Sequence, residues 1–470
     1  MLILNFNDSI DTMVKKKQSK QVEKIKKTSK SLSLLRGFKD ILPEHMKYWQ
    51  YARNVAHELF SDYGYGQIET PILEQTSLYK RTTGEHTDIV TKEMFSFQDR
   101  SGDSISMRPE FTPGIARAYI EHGMLNRPQP VKLYSLGPLF RYDRPQAGRY
   151  RQFHQLDFEI LGDENPVADA EIIFLSYLFC KKLGLDVVIQ INSLGQSESR
   201  QEYIKILKEY YKSKRRLLCD DCKTRLTKNT LRLLDCKETG CQDLTQSAPQ
   251  LIDHIDDDSK QHFVRVLEYL DESEVPYELN PYIVRGLDYY NRTAFEVMPV
   301  ITRPCDEISL EVAPDFVPKP EPLVQAIGGG GRYDGLIEAI GGRPTAGVGM
   351  AFGFERVIEA IRQSGKDKAP VKKPQVFLAQ LGEEAAKRIF KLFEVLRESG
   401  IQTRVNFSKS GLKQQLELAD KLKVPYTVIL GQKELLDDTI IIRDMENGIQ
   451  EVVDLSKVTE ELKKRLKSHE

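Results

Sequence analysis

The chain of 470 residues is long enough for about three domains, and its hydrophobic content of 40% is sufficient for buried cores. Its 68 Lys and Arg residues balance 69 Asp and Glu residues, and the net charge of −1 excludes the overall basic surface of a small nucleic-acid-binding protein. No apolar run approaches the roughly 18 residues of a membrane span, and the six cysteines do not form a secreted disulfide framework. We therefore expect a cytoplasmic protein that makes no membrane contact.

Residues 1–31 form a lysine-rich extension that has too little apolar content to order itself. Two interpretations stay open for this segment. It is either a solvated flexible tail, which its composition favours, or a polycation that adds salt-dependent affinity for phosphate groups. Ordered structure is predicted to begin near Leu34.

The first ordered region is predicted to combine a helix with strands. Apolar residues recur at helical spacing from Tyr48 to Phe60. Residues 67–73 are predicted to form a strand, which Pro71 restricts to a sheet edge or an interface because proline has no N–H to donate. Residues 132–141 and 152–162 have the pattern of two further strands, joined by a polar loop as in a hairpin.

Helical spacing dominates the middle of the chain, over residues 168–183 and again over residues 202–270. We therefore predict a mainly helical insertion at about residues 196–275. The elements predicted after it are a strand at 293–298, a Pro-rich loop at 299–322, a strand at 347–351, a helix at 355–363 and a charged linker at 366–373.

From residue 374 the pattern changes to alternating strands and helices. The predicted strands are 376–379, 403–407 and 426–430, and the predicted helices are 383–398 and 412–422. A compact α/β unit of this kind at the end of a chain is typical of a binding module.

Polar residues cluster on the two strands of the predicted hairpin. Since side chains alternate between the faces of a strand, Gln155, Asp157 and Glu159 share one face of the second strand. Arg141 and Asp143, at the end of the first strand, likewise share one face, so pairing of the strands would gather all five residues on one polar face. Charged groups on a buried face need a partner, which points to a charged ligand or Mg²⁺. The alternative is an antiparallel sheet whose polar face is exposed to solvent.

Glycine-containing segments accompany the hairpin. Residues 285–293 combine two arginines and two tyrosines around a glycine, and residues 328–334 and 347–356 form a glycine-rich approach to a helix. The latter is not a dinucleotide fingerprint, because the acidic residue expected about 20 positions later is not evident. The P-loop pattern is also absent from the sequence. Phosphate binding would therefore have to come from arginines on a sheet.

Four segments, in order along the chain, resemble the histidyl-tRNA synthetases, a family of class II aminoacyl-tRNA synthetases. They are residues 36–40 with the Pro71 strand, residues 141–162, residues 285–293 and residues 328–356. The resemblance implies an α+β fold with a class II antiparallel sheet core flanked by helices, a helical insertion and a C-terminal α/β anticodon-binding domain. The implied boundaries are 32–365 for the catalytic domain and 374–470 for the anticodon-binding domain.

The activity implied by the resemblance is that of a histidine–tRNA ligase. Such an enzyme uses ATP as a substrate to convert L-histidine to histidyl-adenylate, and then transfers histidine to the 3′ end of tRNA(His). Mg²⁺ is expected on the β- and γ-phosphates, and a homodimer is expected with Pro71 near its interface. The C-terminal domain, including residues 410–415, would read splayed single-stranded bases of the tRNA.

The resemblance assigns three arginines to catalysis. Arg141 would hold the histidine carboxylate and the ATP α-phosphate together, Arg285 would add a cation at the same place, and Arg356 would bind the γ-phosphate. Arg141 and Arg285 thus also count among the residues expected to contact histidine. The shared role of the three would be positioning and neutralisation of charge as pyrophosphate leaves. Asp143 is expected on the ATP side, near the adenine.

Further residues are assigned to histidine recognition by the same resemblance. They are Glu110, Thr112, Gln155, Glu159, Tyr289, Tyr290 and Tyr333. The first three resemble the receivers of the α-amino group. Glu159 and Tyr290 resemble the partners of the two imidazole nitrogens, since the ring offers one donor and one acceptor, and the other two tyrosines would shape the pocket. Phe111 stands where the family commonly has glycine.

Four clustered cysteines lie within the predicted insertion. Cys219-x-x-Cys222 and Cys236-x-x-x-x-Cys241 approach the two-pair spacing of a structural zinc site. The alternative is a set of reduced structural cysteines. Relatives in the family can carry other residues at these positions, so the resemblance implies that zinc is not needed for the chemistry and favours the reduced interpretation.

Two other functions compete with the ligase. A regulatory subunit of histidine biosynthesis would keep the fold as a histidine sensor, but such relatives typically lose the arginine–tyrosine segment and the C-terminal module, and both are present here. A nucleotide-binding protein of another purpose would not explain the pocket and the terminal domain together. The ligase is the favoured hypothesis.

Overall fold

The computed structural model describes residues 32–84, 87–143, 149–300, 325–365, 373–409 and 411–467. The predicted extension at residues 1–31, the Pro-rich loop from residue 301 onwards and the linker up to residue 372 lie outside the described residues. The chain divides into two compact units between Ala369 and Pro370. Among the described helices, none has the length and apolarity of a membrane span.

The first unit is built on an eight-stranded sheet. In order across the sheet, the strands are β1 (Gly66–Gln67), β5 (Val131–Phe140), β6 (Gln152–Leu161), β11 (Gly347–Gly353), β10 (Gly328–Arg332), β9 (Asn291–Pro299), β7 (Val187–Ser193) and β8 (Tyr277–Leu279). The six central strands are antiparallel, whereas the outermost strands β1 and β8 pair in parallel. A separate three-stranded antiparallel sheet contains β2 (Leu73–Gln75), β4 (Ser104–Met107) and β3 (Ser96–Gln98).

The helices of this unit fall into those outside the insertion and those that form it. Those outside the insertion are α1 (Pro43–Asp62), α2 (Thr76–Thr83), α3 (Thr112–Glu121), α4 (Pro166–Leu183), α9 (Leu336–Ala339) and α10 (Phe354–Gln363). Those of the insertion are α5 (Ser197–Ser213), α6 (Asp220–Lys228), α7 (Thr239–Gln246) and α8 (Asp257–Glu272). Short helical turns occur at Ile89–Glu93, Met124–Asn126, Arg215–Leu217, Thr230–Leu233 and Leu251–His254. The predicted helical insertion is confirmed.

The side chains of β6 alternate between the two faces of the large sheet. One face lies against the core, and the opposite face is called the groove side. Leu156 and Phe158 belong to one buried cluster with apolar residues of α1, α4, α8 and α10. Gln155, Asp157 and Glu159 point to the opposite face, because successive side chains of a strand alternate. β5 and β6 pair in antiparallel register over their whole length, so the predicted hairpin pairing is confirmed.

The strand predicted at residues 67–73 is instead split between two sheets. β1 and β2 flank Thr70 and Pro71, which belong to neither strand. Pro71 has no N–H to donate, and the carbonyl of Thr70 accepts a hydrogen bond from the Arg108 side chain at 2.5 Å. The chain therefore leaves the large sheet and joins the small one at this point.

The glycine-rich approach predicted at residues 328–334 is instead a central strand over most of its length. β10 pairs with β11 on one side and with β9 on the other. Consecutive glycines disfavour a strand because they have no side chains to pack and lose much backbone freedom. Neighbouring strands on both edges supply the hydrogen bonds that hold the glycines in extended conformation.

The second unit has a five-stranded sheet with helices on both faces. Its strands, in order across the sheet, are β13 (Thr403–Val405), β12 (Val376–Gln380), β14 (Tyr426–Leu430), β15 (Thr439–Asp444) and β16 (Gln450–Asp454). Its helices are α11 (Glu383–Glu398), α12 (Leu412–Lys421), α13 (Gln432–Leu436) and α14 (Val458–Lys467). α11 and α14 pack into one buried cluster and α12 into another. The predicted α/β alternation is present, and the antiparallel strands β15 and β16 were missed.

Phe158 tests the core side of the large sheet. It is fully buried, and its ring centroid lies 4.6 Å from that of Phe60. We expect Phe158→Ala to lower the free energy of unfolding by about 3–5 kcal/mol, because the cavity forfeits contacts on every side. Thermal and urea unfolding followed by circular dichroism measure this effect. Tyr269→Ala on α8, where the aromatic side chain is exposed, is the matched control; equal shifts of the two midpoints would contradict the core assignment.

Candidate functional site

The polar face of β6 is buried, and the strands beside it carry small residues. Asp157 and Glu159 are each 1% exposed. Ala351 and Gly349 of β11 lie opposite them in register, and Gly331 of β10 lies opposite Gly349. A groove floored by small residues therefore crosses three strands, with carboxyl groups along one side. The alternative of a polar sheet face exposed to solvent is wrong.

Two glycines of this floor are required by close approach of other side chains. A Cβ atom at Gly349 would lie 1.4 Å from Oε2 of Glu159, and one at Gly329 would lie 2.6 Å from Nη1 of Arg285. No larger residue fits at either position without displacing these groups. The glycine-rich segments thus let charged side chains lie over strand backbone.

Glu159 is a buried carboxyl group on the groove floor. Thr112 donates a hydrogen bond from Oγ1 to Oε1 at 2.6 Å, and the Tyr333 hydroxyl donates to Oε2. Burial raises the pKa of Glu159 to about 7, although both hydrogen bonds favour the charged form. Glu159 can therefore change its protonation state near neutral pH and can accept a hydrogen bond from an N–H group of a ligand.

Glu110 is a second buried carboxyl group, held from two distant parts of the chain. Thr83 at the end of α2 donates from Oγ1 to Oε1 at 2.7 Å, and the Tyr289 hydroxyl donates to Oε2 at 2.7 Å. Burial raises the pKa of Glu110, while the two hydroxyls and the charge of Arg141 act in the opposite direction. The structure thus brings Glu110 and Tyr289 together, two residues that the sequence predicted for one pocket.

Phe111, beside Glu110, does not need the backbone freedom of glycine. Its φ is −91°, and its ring is fully buried with the Arg108 guanidinium carbon 4.4 Å from the ring centroid. The aromatic ring therefore packs against the Arg108 guanidinium, and the loop takes an ordinary conformation at Phe111.

Gln155 and Asp157 present buried acceptors that lack partners. Gln155 Oε1 and Asp157 Oδ1 have no hydrogen-bond partner in the part of the chain that the structure describes. Burial, followed by the neighbouring carboxyls of Glu159 and Glu110, raises the pKa of Asp157 well above its usual range. Since an unpaired buried acceptor is costly, the face suits a ligand that brings N–H donors and positive charge.

Three tyrosines form an aromatic wall of the groove. The ring centroids of Tyr289 and Tyr290 are 4.6 Å apart, and that of Tyr333 lies 5.8 Å and 6.5 Å from them. Tyr290 and Tyr333 are buried. Rings with hydroxyl tips can contact a small planar ligand and hydrogen-bond to its edge.

Arg141 and Arg356 are anchored by backbone carbonyls. Arg141 donates from Nε to the Pro109 carbonyl at 2.9 Å, and Arg356 donates from Nη1 to the Ala326 carbonyl at 2.7 Å. A guanidinium has five N–H donors, so these bonds orient each group and use one donor each. Burial lowers the pKa of Arg356, and the positive charges of Arg149 and Arg141 add to this effect. The cations are therefore close enough to repel one another.

Arg285 joins this positive region through Glu296. Its Nη1 lies 2.9 Å from Oε1 of Glu296, and its guanidinium carbon lies 5.5 Å from the centre of the Tyr290 ring. The Glu296 charge also acts on Arg356: it raises the pKa of Arg356 and so partly offsets the lowering caused by burial. The three predicted arginines thus share one region of positive charge, beside the tyrosines and above the glycine floor.

Asp143 lies outside the carboxyl group cluster of the floor. Its Oδ2 lies 3.1 Å from Nη1 of Arg149, and residues 144–148 between them lie outside the described residues. Arg149 in turn acts on Arg356. Asp143 is therefore linked to the arginine region through Arg149.

Sequence reasoning missed Thr83 and Glu296. A detectable signal existed for Glu296, since it is a charged residue between Phe295 and Val297, which are buried on the core side of β9. Its position predicts a side chain on the groove face. Thr83 carries no comparable signal, because its contact with Glu110 depends on where α2 ends in the folded chain.

The four predicted cysteines converge within the insertion. Their Sγ atoms all lie within 4.8 Å of one another, with Cys219 partly exposed and Cys222, Cys236 and Cys241 buried. All four are free cysteines.

In the second unit, the predicted segment around Gln415 has a structural role at that residue. The Gln380 backbone N–H donates to Oε1 of Gln415 at 3.0 Å, and Nε2 of Gln415 donates back to the Gln380 carbonyl at 2.8 Å. Gln415 is buried, and this pair attaches α12 to the end of β12. Lys409 and Lys413 are exposed, and Ser410 lies outside the described residues.

Two family models match the chain. The model described as histidyl-tRNA synthetase matches residues 37–303, and the model described as anticodon binding domain matches residues 375–465. The first match lies within the first compact unit and the second within the second unit.

Curated and solved proteins are similar to the chain over most of its length. The histidine–tRNA ligase of Dehalococcoides mccartyi is 44% identical over 432 residues, which are 92% of this chain and 99% of that protein. The histidine–tRNA ligase of Caldicellulosiruptor bescii is 42% identical, covering 92% of this chain and 98% of its own. The crystal structure of apo S. aureus histidyl-tRNA synthetase gives a TM-score of 0.73 at 34% identity, covering 92% of this chain and 100% of that one.

The raised pKa of Glu159 predicts a pH dependence of stability. A carboxyl group with a higher pKa in the folded state binds more protons when folded, so stability falls as pH rises from 4.5 to about 7 and then levels off. We expect Glu159→Gln to remove this slope. Without ligand, the variant should gain on the parent protein by at most about 3 kcal/mol between pH 5 and pH 8.

Thermal unfolding across this pH range measures the difference. Glu278→Gln, at an exposed position of β8, is the matched control and should leave the slope unchanged. A constant difference between the Glu159 variant and the parent protein at all pH values would contradict the raised pKa.

Proposed function

The chain belongs to the histidyl-tRNA synthetase family and is an aminoacyl-tRNA synthetase, a histidine–tRNA ligase, and we propose that its groove binds histidine and ATP side by side. The resemblance seen in the motifs is confirmed at the level of the family. The observation that carries the assignment of the groove is the convergence of unpaired acceptors, tyrosines and arginines on one sheet face. These residues come from segments that lie far apart along the chain.

The α-amino group of histidine binds to the acceptors at one side of the floor. Gln155, Glu110 and Thr112 form the predicted set, and the buried unpaired Oε1 of Gln155 supports it. Asp157 adds a further acceptor, to which the resemblance assigned no contact with histidine. An ammonium group would satisfy these oxygens, and its charge would favour the ionised form of Asp157.

The imidazole ring lies against the tyrosines. One ring nitrogen donates to Glu159, and the other accepts from the Tyr290 hydroxyl, which matches the donor and acceptor of the neutral ring. Tyr289 and Tyr333 hold the two buried carboxyls through their hydroxyls and so fix the shape of the pocket. A side chain without these nitrogens would leave buried polar groups unpaired, which provides selectivity.

ATP lies along the three arginines. Arg141 binds the histidine carboxylate and the α-phosphate, Arg285 adds charge at the α-phosphate and Arg356 binds the γ-phosphate. The carboxylate oxygens of Glu296 are ligands of the type that Mg²⁺ prefers, and together with phosphate oxygens they would hold the ion. When bound, Mg²⁺ supplies charge neutralisation on the β- and γ-phosphates. Asp143, paired with Arg149, would lie near the adenine.

The reaction proceeds in two transfers. A histidine carboxylate oxygen attacks the α-phosphorus as the bond to pyrophosphate breaks, which gives histidyl-adenylate. A hydroxyl of the terminal adenosine of tRNA(His) then attacks the histidyl carbonyl carbon, and AMP leaves. The chain's contribution is positioning by the acceptor face and stabilisation of developing negative charge by the arginines.

The second unit binds the tRNA. Since a tRNA ligase serves translation, the protein would act in the cytoplasm. The match of residues 375–465 to an anticodon binding domain supports this role. Exposed lysines at positions 409 and 413 provide positive charge near α12. Anticodon bases would be read as unstacked single-stranded nucleotides.

The chain acts as a homodimer through the small sheet. Leu73 of β2 and Phe97 of β3 share a face of that sheet with Ile105, and Leu73 and Phe97 are each 47% exposed. Ile72 beside Pro71 is exposed as well. An apolar sheet face of this kind is typical of an interface between protein chains.

Histidine-dependent exchange of pyrophosphate into ATP tests the proposed reaction. The parent protein should catalyse it, whereas absence of exchange with folded protein would favour a histidine sensor. We expect Arg285→Ala to slow the exchange by about a hundredfold or more, because the group stabilises charge mainly in the transition state. Histidine affinity, measured by calorimetry, should change far less. Arg343→Ala on the surface is the control, and equal losses of exchange and affinity would contradict the role of Arg285.

Analytical ultracentrifugation tests the proposed dimer. Leu73→Asp should shift the protein from dimer to monomer, because it places a charge on the apolar face. Leu279→Asp, on the edge strand β8 of the large sheet and 59% exposed, is the matched control. A parent protein that sediments as a monomer, or a Leu73 variant that stays dimeric, would contradict this interface.

A further inference from the structure

The geometry of the four-cysteine cluster is that of a tetrahedral metal site. All four Sγ atoms lie within 4.8 Å of one another, and those of Cys219 and Cys236 are 3.9 Å apart. Zinc–sulfur bonds of about 2.3 Å in a tetrahedron place sulfur atoms about 3.8 Å apart. Only shifts of the order of an ångström are therefore needed to close four sulfurs around one ion.

Backbone groups are also arranged as they are around thiolate ligands. The Cys222 N–H points to Sγ of Cys219 at 3.4 Å, and the Cys219 N–H points to Sγ of Cys241 at 3.4 Å. Cys219 is the N-cap of α6, so positive partial charge at that helix end faces its sulfur. Two N–H groups directed at sulfur stabilise negative charge, which a neutral thiol does not carry.

Ordinary packing explains the cluster less well. Buried thiols behave as small apolar groups and gain by contacts with carbon. Apolar side chains such as Leu226 and Leu233 surround the cluster in the same buried group, yet the four sulfurs face one another. Cys180, by contrast, is buried in a different core and belongs to no such group among the described residues.

We propose that Cys219, Cys222, Cys236 and Cys241 bind one structural Zn²⁺, which holds the intervening segment against the loop that carries Arg285. Four cysteine sulfurs select zinc over harder cations such as Mg²⁺. Most of α6 and the turn Thr230–Leu233 lie between the two cysteine pairs, so one ion closes both ends of this segment. The metal is structural, and the reaction does not pass through it.

The bracketed segment makes direct contacts with the Arg285 loop. Asn229 donates from Nδ2 to Oδ1 of Asp288 at 3.3 Å, and Arg232 lies so close to Gly286 that a Cβ there would be 2.8 Å from its Nη1. The Asp288 N–H in turn donates to the Thr83 carbonyl at 3.3 Å. Thr83 is the residue whose hydroxyl holds Glu110. A short chain of contacts thus connects the cysteine cluster with the ligand groove.

Metal content is the first test, and it is independent of activity. Protein made in zinc-supplemented medium and purified without chelator should contain about one zinc per chain. Replacement by Co²⁺ should give the absorption bands of a tetrahedral cobalt–thiolate centre. Less than a tenth of an equivalent of zinc, with no binding on reconstitution of the reduced protein, would overturn the site, as would iron in its place.

Variants then locate the ion. Cys241→Ser should reduce zinc content and lower the melting temperature, whereas Cys180→Ala, the matched control, should keep the full content. Unchanged zinc in the Cys241 variant would overturn the assignment of the ligands. If that variant does not fold, the cobalt spectrum of the parent protein still decides whether four thiolates bind a metal.

The link to the loop rests on the proposed function and has its own test. Slow removal of zinc by a chelator should raise the KM for histidine in pyrophosphate exchange several-fold, with a smaller change in kcat. Adding zinc back should restore the original KM. An unchanged KM in the zinc-free protein would overturn the supporting role. Zinc in a protein that shows no exchange would contradict the proposed function and leave the metal site intact.

Discussion

The buried polar face of β6 is the constraint on which the rest of the first unit depends. The same ten-residue strand places Phe158 in the core and Asp157 and Glu159 in the groove, so neither face can shift register without destroying the other. Buried carboxyls oppose folding because burial disfavours their charge. The large apolar cluster behind the sheet offsets that cost, and it includes helices from both ends of the unit. The core side of the sheet therefore stabilises the fold, and the buried carboxyls of the groove side destabilise it.

Two buried polar sites in this unit show opposite ways of handling such groups. Arg332 is fully buried and donates hydrogen bonds to Asp169, Asp334 and two backbone carbonyls. Burial acts to raise the pKa of Asp169, but Arg332 and His262 outweigh it and lower the pKa to about 2. All three nitrogens of the Arg332 guanidinium thus find acceptors within the protein, and these bonds hold β10 to α4. Gln155 and Asp157 keep acceptors without partners on one face. A buried polar group whose hydrogen bonds are all made within the protein has a structural role. Several buried acceptors without partners on one face indicate a ligand-binding site.

Features of the groove that depend on local sequence patterns were predicted correctly. Features that depend on contacts between distant parts of the chain were not. Strand alternation predicted the β6 face, and the limits of α11 at residues 383–398 were predicted correctly from apolar spacing. The glycines of β10 were interpreted as a glycine-rich approach to a helix and not as a strand, because isolated propensity ignores the neighbouring strands on both edges. Thr83 reaches Glu110 only in the folded chain. The assignments of single residues to histidine and ATP came from a resemblance, and the geometry supports their shared location.

The cysteine cluster shows why spacing alone leaves a metal site open. Two cysteine pairs separated by a short segment are compatible with reduced structural cysteines or with a metal site, and the fold decides which side chains meet. Here a helix N-cap directs one sulfur and a following turn returns the second pair to it. The resemblance argued against a chemical need for zinc, since relatives differ at these positions. That argument concerns catalysis, and it does not bear on an ion that stabilises the segment beside the Arg285 loop in this particular chain.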